Sequence, residues 1–287
     1  MRAVSIAEAT LGATQVLRRA GVPESRREAA SLLAHVLGCD RTFLITHAEE
    51  EVSAEALASF RSLLERRAGG EPLQYITGHT AFFKLDFEVT PAVLIPRPET
   101  ELLLETALDL LREMKAPLVC DVGTGSGCVI ISILHEIEAA RGLGLDISEG
   151  ALDVARRNAR RHNVEERLSL ILSDCFDALG ETDTRFDMIV SNPPYVAEDA
   201  LKGLQREVRD FEPRLALTPG GDGLRIIRRL MSEAPALLKS GGHLLMEIGF
   251  DQHEAVRKLI EPRTWELLDI HLDLQGIPRT VALRRRS

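Results

Sequence analysis

From Pro117 to Leu283, short apolar runs alternate with helical patterns, and this alternation narrows the possible folds more than any other property of the chain. The runs fall at Leu118–Val122, Gly142–Asp146, Leu168–Leu172, Met188–Ser191, His243–Ile248, Trp265–His271 and Thr280–Leu283. Helical periodicity separates them at Gly127–Glu138, Gly150–His162, Leu224–Leu238 and Gln252–Leu259. A strand can lie parallel to its predecessor only after a crossover, and crossover helices cover the faces of the sheet. The pattern therefore predicts an α/β fold with a seven-stranded, mostly parallel, doubly wound sheet. No internal repeat or low-complexity segment interrupts it.

In an open α/β sheet, ligands bind beyond the carboxyl ends of the strands. The first strand, Val119-Cys120-Asp121-Val122, runs into Gly123-Thr124-Gly125-Ser126-Gly127 and then a helix. Glycines there permit φ > 0 and a close approach of backbone to ligand. The spacing is Gly-x-Gly-x-Gly, not the Gly-x-Gly-x-x-Gly of dinucleotide enzymes, and alone it also fits a tight strand–helix turn. Asp146 ends the second strand, where a carboxylate can accept both hydroxyl protons of a ribose. Asp174 ends the third and is placed to meet an adenine edge. Either acid alone is common in α/β proteins. At the fourth strand end stands Asn192-Pro193-Pro194-Tyr195. Two prolines cannot continue a sheet ladder, because each lacks an N–H and fixes φ. The chain must leave the sheet there, holding an amide, rigid carbonyls and an aromatic ring in one place.

The first 75 or so residues read as helices. Ser5-Ile6-Ala7-Glu8 fits a capping box, and the segment after it carries Val16, Leu17 and Ala20 before Gly21 and Pro23. A second helix is expected at Glu24–Leu37 and a third at Ala54–Arg67, with a short turn around Thr42–Thr46 between them. Ala81–Val89 reads as strand. The rigid connector Leu94-Ile95-Pro96-Arg97-Pro98-Glu99-Thr100-Glu101 leads into a helix at about Pro98–Glu113.

Composition excludes several classes. The formal charge of −9 argues against whole-surface attraction to nucleic acid, although a local basic patch remains compatible with it. Cys39, Cys120, Cys128 and Cys175 show no Cys-x-x-Cys spacing, so they read as core residues of a reducing cytosol rather than disulfides or metal ligands. The N-terminus has no long apolar region, and no stretch approaches a membrane span. A cytoplasmic protein without a bound metal is expected.

Taken in order along the strand ends, Asp121 with its glycines, Asp146, Asp174 and Asn192-Pro193-Pro194-Tyr195 resemble the S-adenosylmethionine-dependent methyltransferases of the Rossmann-like class I. Three carboxylates near one pocket would repel a pyrophosphate but tolerate a sulfonium cation. In that superfamily Asn-Pro-Pro-Tyr marks enzymes that methylate planar nitrogens, either amino groups of bases or the amide of glutamine.

A narrower resemblance covers essentially the whole chain. Ile95-Pro96-Arg97-Pro98-Glu99-Thr100-Glu101, Glu71-Pro72-Leu73-Gln74-Tyr75-Ile76-Thr77-Gly78, Glu212-Pro213, Gly220-Gly221-Asp222-Gly223-Leu224, Met246-Glu247-Ile248-Gly249 and Gly276-Ile277-Pro278-Arg279 are similar to the glutamine methyltransferases of peptide chain release factors. The resemblance implies methyl transfer from S-adenosylmethionine, leaving S-adenosylhomocysteine, to the glutamine amide nitrogen of a Gly-Gly-Gln loop. It implies catalytic roles for Asn192, Pro193 and Tyr195, and substrate contacts by these with Pro194, Arg97 and Thr100. Cofactor contacts are implied for Asp121, Gly123, Thr124, Gly125, Ser126, Gly127, Asp146, Asp174, Cys175 and Asn192. Cys175 stands where many relatives carry a larger side chain to cover the adenine. The implied organisation is a helical substrate-docking domain at 1–75, a hairpin linker at 76–97 and a methyltransferase domain at 98–287, in a monomer that engages release factors but neither membrane nor nucleic acid. The rival readings are a ribosomal-protein glutamine methyltransferase, an adenine N6 or guanine N2 methyltransferase, and a non-catalytic interaction module. Pro98-Glu99-Thr100-Glu101, the acidic charge and the short helical N-terminus favour the release-factor reading.

Overall fold

Ser5 and Glu8 form the expected capping box, each side chain bonded to the other residue's backbone N–H at 3.2 Å. The computed structural model describes residues 4–287 and divides into two compact units. One runs from the N-terminus to Gly78 and includes Gln205–Phe211; the other comprises His79–Leu204 and Glu212–Ser287.

The first unit is helical: α1 (Ile6–Arg19), α2 (Ser25–Leu37), α3 (Arg41–Thr46), α4 (Ala54–Ala68) and α5 (Leu73–Thr77). Ala9, Ala13 and Leu17 recur at helical spacing and face the core, whereas Val16 points to solvent. The segment expected as a turn around Thr42–Thr46 is helix α3, nucleated by Asp40, whose carboxylate accepts the Phe43 N–H at 2.7 Å. Arg67 is buried and pairs with Glu28 and, at 2.8 Å, with Glu207. Glu207 lies on the short helix Arg206–Phe211, which the sequence places far away in the 98–287 stretch.

The second unit opens with a hairpin, β1 (His79–Phe82) and β2 (Leu85–Glu88). Its two-residue turn has positive φ at both Phe83 (46°) and Lys84 (66°), the geometry that matches strand twist, made here without glycine or asparagine. Helix α6 (Thr100–Leu111) begins two residues after Pro98, which stays in the preceding turn. Then follow β3 (Leu118–Val122), α7 (Cys128–Glu136), β4 (Arg141–Asp146), α8 (Glu149–Arg161), β5 (Leu168–Leu172) and β6 (Phe186–Ser191). After α9 (Arg206–Phe211, of the first unit) come α10 (Arg214–Leu217), α11 (Arg225–Leu237), β7 (Leu238–Glu247), α12 (His253–Leu259), β8 (Trp265–Leu272) and β9 (Pro278–Arg285). Neither α9 nor α10 shows a helical period long enough to read from sequence.

The seven strands form one sheet in the order β5-β4-β3-β6-β7-β9-β8. Six of these strands point the same way, and β9 runs against them, antiparallel to both β7 and β8. Successive residues of the central strands enter opposite cores: Val119, Met188, Val190 and Leu245 one, Cys120, Ile189, Leu244 and Met246 the other. Burial on both faces explains why these strands read as unbroken apolar runs. Strand order reverses direction between β3 and β6, so the carboxyl ends of β4, β3 and β6 flank a crevice. Among the described residues, no helix is long and apolar enough to cross a membrane.

Candidate active site

The crevice is framed by the turn after β3. Gly123, Gly125 and Gly127 all have positive φ (74°, 55° and 81°), so the turn depends on them. Their duties differ. A Cβ at Gly123 would meet nothing within 4 Å, leaving backbone open to a ligand. A Cβ at Gly127 would stand 2.6 Å from Ile131 Cδ1 of α7, the helix it caps, and 3.4 Å from Ala155 Cβ of α8, so this glycine makes room for those side chains and is not among the cleft-lining residues.

Asp121 is buried at the base of the cleft and accepts the Thr124 hydroxyl at 2.8 Å. Burial raises its pKa to about 7, with the Thr124 bond opposing the shift and the charge of Asp146 adding to it. Asp146 accepts Gly125 N–H at 2.8 Å through Oδ2 and Ser148 N–H at 2.9 Å through Oδ1. Each oxygen keeps a further lone pair, and the carboxylate lines the cleft. Burial raises its pKa against those backbone bonds. Asp174 also lines the cleft, but one oxygen accepts from Arg229 at 2.9 Å. Cys175 beside it has φ 47° and is buried, its thiol pushed up to about 11 by desolvation.

The loop leaving β6 is held by hydrogen bonds at Ser191, Asn192 and Tyr195. Ser191 donates to the Val122 carbonyl at 2.7 Å, tying the ends of β6 and β3 together. Asn192 Nδ2 donates to Thr100 Oγ1 at 2.9 Å, and that hydroxyl donates to Glu247 Oε2 at 2.7 Å. The Tyr195 hydroxyl donates to Glu247 Oε1 at 3.1 Å. Burial raises both the Tyr195 phenol and the Glu247 carboxyl above their ordinary ranges.

The cleft thus gathers Thr100, Asp121, Gly123, Thr124, Gly125, Ser126, Asp146, Asp174, Cys175, Asn192, Pro193 and Pro194. Tyr195, expected as a substrate wall, is not among its lining residues; its ring packs on the core beneath β7. Arg97 is likewise absent from the lining and pairs with the buried Glu212 at 2.5 Å.

Residues 8–78 match the family model of the PrmC N-terminal domain, and residues 115–262 match that of a methyltransferase domain. A release factor glutamine methyltransferase of Koribacter versatilis is 42% identical over 282 residues, spanning 98% of this chain and 99% of the relative. One of the same name from Burkholderia pseudomallei is 45% identical over 271 residues, spanning 93% and 94%. The chain belongs to the release factor glutamine methyltransferase family. A solved methyltransferase from Pyrococcus furiosus aligns with a TM-score of 0.51 over 72% of this chain and 92% of that one; at 17% identity the likeness concerns the fold.

Several cleft residues of this family member escape a reading by sequence alone. Ile147 and Leu215 are more than half exposed yet line the cleft, as do the buried Val129 and Ile226. Ile147 carried a usable signal, an apolar residue directly after a strand-end acid. Leu215 carried none, since α10 is a single turn.

Proposed function

We propose that this enzyme transfers a methyl group from S-adenosylmethionine to the side-chain amide nitrogen of the glutamine in the Gly-Gly-Gln loop of a peptide chain release factor, in the cytoplasm. The observation that carries the reading is the orientation of Asn192. Its amide nitrogen is bound to Thr100, which leaves its oxygen for the acceptor.

The residues around the cleft suit this donor. Gly123 and Gly125 leave backbone free of side chains, and the Asp121 carboxyl, whose ionisation burial opposes, gains from a neighbouring cation. Asp146 has lone pairs for ribose hydroxyls, and Ile147 with Leu215 offers apolar surface for a purine plane. Ile147 is a better cover for the adenine than Cys175, whose thiol is buried. Asp121, Gly123, Thr124, Gly125, Ser126, Asp146 and Asp174 are the residues that would hold the donor, with Gly127 acting through the turn. When bound, S-adenosylmethionine supplies an electrophilic methyl on a sulfonium.

An amide nitrogen shares its lone pair with the carbonyl and is a poor nucleophile. Asn192 Oδ1 and the Pro193 carbonyl can accept its two N–H bonds, which fixes the nitrogen and favours the geometry in which its lone pair faces the methyl. No side-chain base has to remove a proton beforehand; the nitrogen becomes acidic once it carries the methyl, and one N–H proton then leaves to water. Such alignment can supply roughly 7–11 kcal/mol of the barrier reduction. Tyr195 and Arg97 act behind this contact, Tyr195 through Glu247 and Arg97 through Glu212, which also accepts the Ile95 N–H at 3.3 Å. The helical unit is assigned the task of holding the release factor.

The test is transfer of labelled methyl in parallel to a release factor, to ribosomal protein and to duplex DNA. Label in the release factor alone is expected; label in DNA or ribosomal protein instead would overturn the assignment.

A further inference from the structure

We infer that Glu247 is a positioning residue for methyl transfer: through Thr100 it sets the direction of the hydrogen bond that holds Asn192, and so decides which end of that amide meets the acceptor. The inference rests on the methyl-transfer reading of the loop. Glu247 ends β7, beside β6, where Met246 pairs with Ser191. Its side chain is 1% exposed, and its two oxygens receive Thr100 Oγ1 and Tyr195 Oη.

The direction follows from the proton inventory. An ionised carboxylate only accepts, so both partners must donate to it. Thr100 has one hydroxyl proton, and it is engaged with Glu247. Toward Asn192, Thr100 can therefore only accept, and only the amide nitrogen of Asn192 can face it. Asn192 Oδ1 is left for the cleft that this residue lines. With a donor or an apolar group in place of the carboxylate, the Thr100 proton is released. It can then turn to Asn192 and reverse the amide, which would set an NH₂ against the acceptor's own N–H.

Burial holds the Glu247 carboxyl above its ordinary range, the bonds from Thr100 and Tyr195 and the charge of Arg279 on β9 only partly offsetting it and Glu99 adding to it, so this direction belongs to the ionised carboxylate. A buried charge is an expensive way to fill space, and an apolar side chain of similar volume would cost less desolvation. The carboxylate here serves direction rather than packing. The same group restrains both ends of the loop, since Asn192 and Tyr195 share it.

The test compares Thr100→Val, which keeps the shape and deletes the hydroxyl, with Thr100→Ser, which restores the hydroxyl, in the full-length enzyme. Thr100→Val should lower kcat on a release factor about tenfold to a hundredfold, with the dissociation constant of S-adenosylmethionine by calorimetry changed less than about twofold. Thr100→Ser should return kcat to within about threefold of wild type. A second readout needs no turnover: in 15N-asparagine-labelled protein, the side-chain NH₂ of Asn192 should be protected from exchange in wild type and Thr100→Ser and unprotected in Thr100→Val and in Glu247→Gln, where the released Thr100 proton lets the amide reverse; wild-type protection in Glu247→Gln would overturn the role of Glu247. Wild-type kcat in Thr100→Val, or a serine variant as slow as the valine variant, would overturn the inference. If Thr100→Val does not fold, solvent-like exchange of Asn192 NH₂ in the wild type overturns it alone. A wild-type enzyme that never methylates release factor defeats the functional reading instead, and the exchange data still decide the hydrogen-bond direction.

Discussion

A Cβ on Gly223 would stand 2.2 Å from the carbonyl oxygen of Tyr195. The loop that follows β6 is thus packed by its backbone against a residue that cannot carry a side chain, and Gly223 has φ 80° besides. Gln252 Nε2 donates to the same Tyr195 carbonyl at 2.8 Å. Together with Glu247 below, these contacts hold the acceptor loop in one conformation before any substrate arrives. Such preorganisation is the main resource of an enzyme whose nucleophile cannot be activated by deprotonation.

Gly223→Ala should therefore strike both stability and rate. Steric conflict with fixed backbone, added to the positive φ, should cost roughly 2–4 kcal/mol in denaturant melts. The kcat of the folded fraction should fall more than its affinity for S-adenosylmethionine. Equal loss of both would show that Gly223 supports the fold in general rather than this loop.

Asp146→Ala should weaken S-adenosylmethionine binding about tenfold or more, since bonds to a charged acceptor contribute about 1.5–3 kcal/mol. The loss has two parts, the direct contacts and the released Gly125 and Ser148 N–H groups. Isothermal calorimetry measures it, and an unchanged dissociation constant would remove Asp146 from the cofactor site.

The strands were legible because a sheet buried on both faces needs apolar residues at consecutive positions, as at Met188-Ile189-Val190. The strand-end acids, glycines and Asn192 were legible because their chemistry departs from the runs that precede them. The role of Glu247 is not legible in the sequence. That residue stands inside Met246-Glu247-Ile248, and its partner Thr100 is 147 positions away, so only the folded sheet joins them. Tyr195 was placed at the cleft by its position in the motif, but its hydroxyl found the buried carboxylate. The Phe83-Lys84 turn likewise carries none of the residues that announce a hairpin.

Cofactor affinity should depend on pH through Asp121. Its pKa in the folded protein is raised to about 7, above the ordinary carboxylate range, so the folded state keeps a proton that the unfolded state has already lost. Stability from this group is present below the unfolded value and is lost as pH rises toward 7. A cationic ligand prefers the ionised form, so binding should release a proton and strengthen about tenfold between pH 6 and pH 8. Calorimetry in buffers of different ionisation enthalpy checks both points; affinity independent of pH, with no proton release, would contradict them.

In the helical unit, Arg67→Ala leaves Glu28 and Glu207 without their shared cation. A destabilisation of about 3 kcal/mol is expected for breaking a buried pair. It should appear as faster hydrogen exchange in α4 and α9, while S-adenosylmethionine affinity stays unchanged. Unaltered exchange at Arg206–Phe211 would show that Glu207 does not anchor that helix.

The most direct test of the central claim is tandem mass spectrometry of the Gly-Gly-Gln loop peptide after incubating a release factor with the enzyme and S-adenosylmethionine. A single methyl on the glutamine side-chain nitrogen is predicted, with loss of about a hundredfold in rate for Asn192→Ala and none of its cofactor binding. A methyl on any other residue, or an Asn192→Ala enzyme as fast as wild type, would contradict the account.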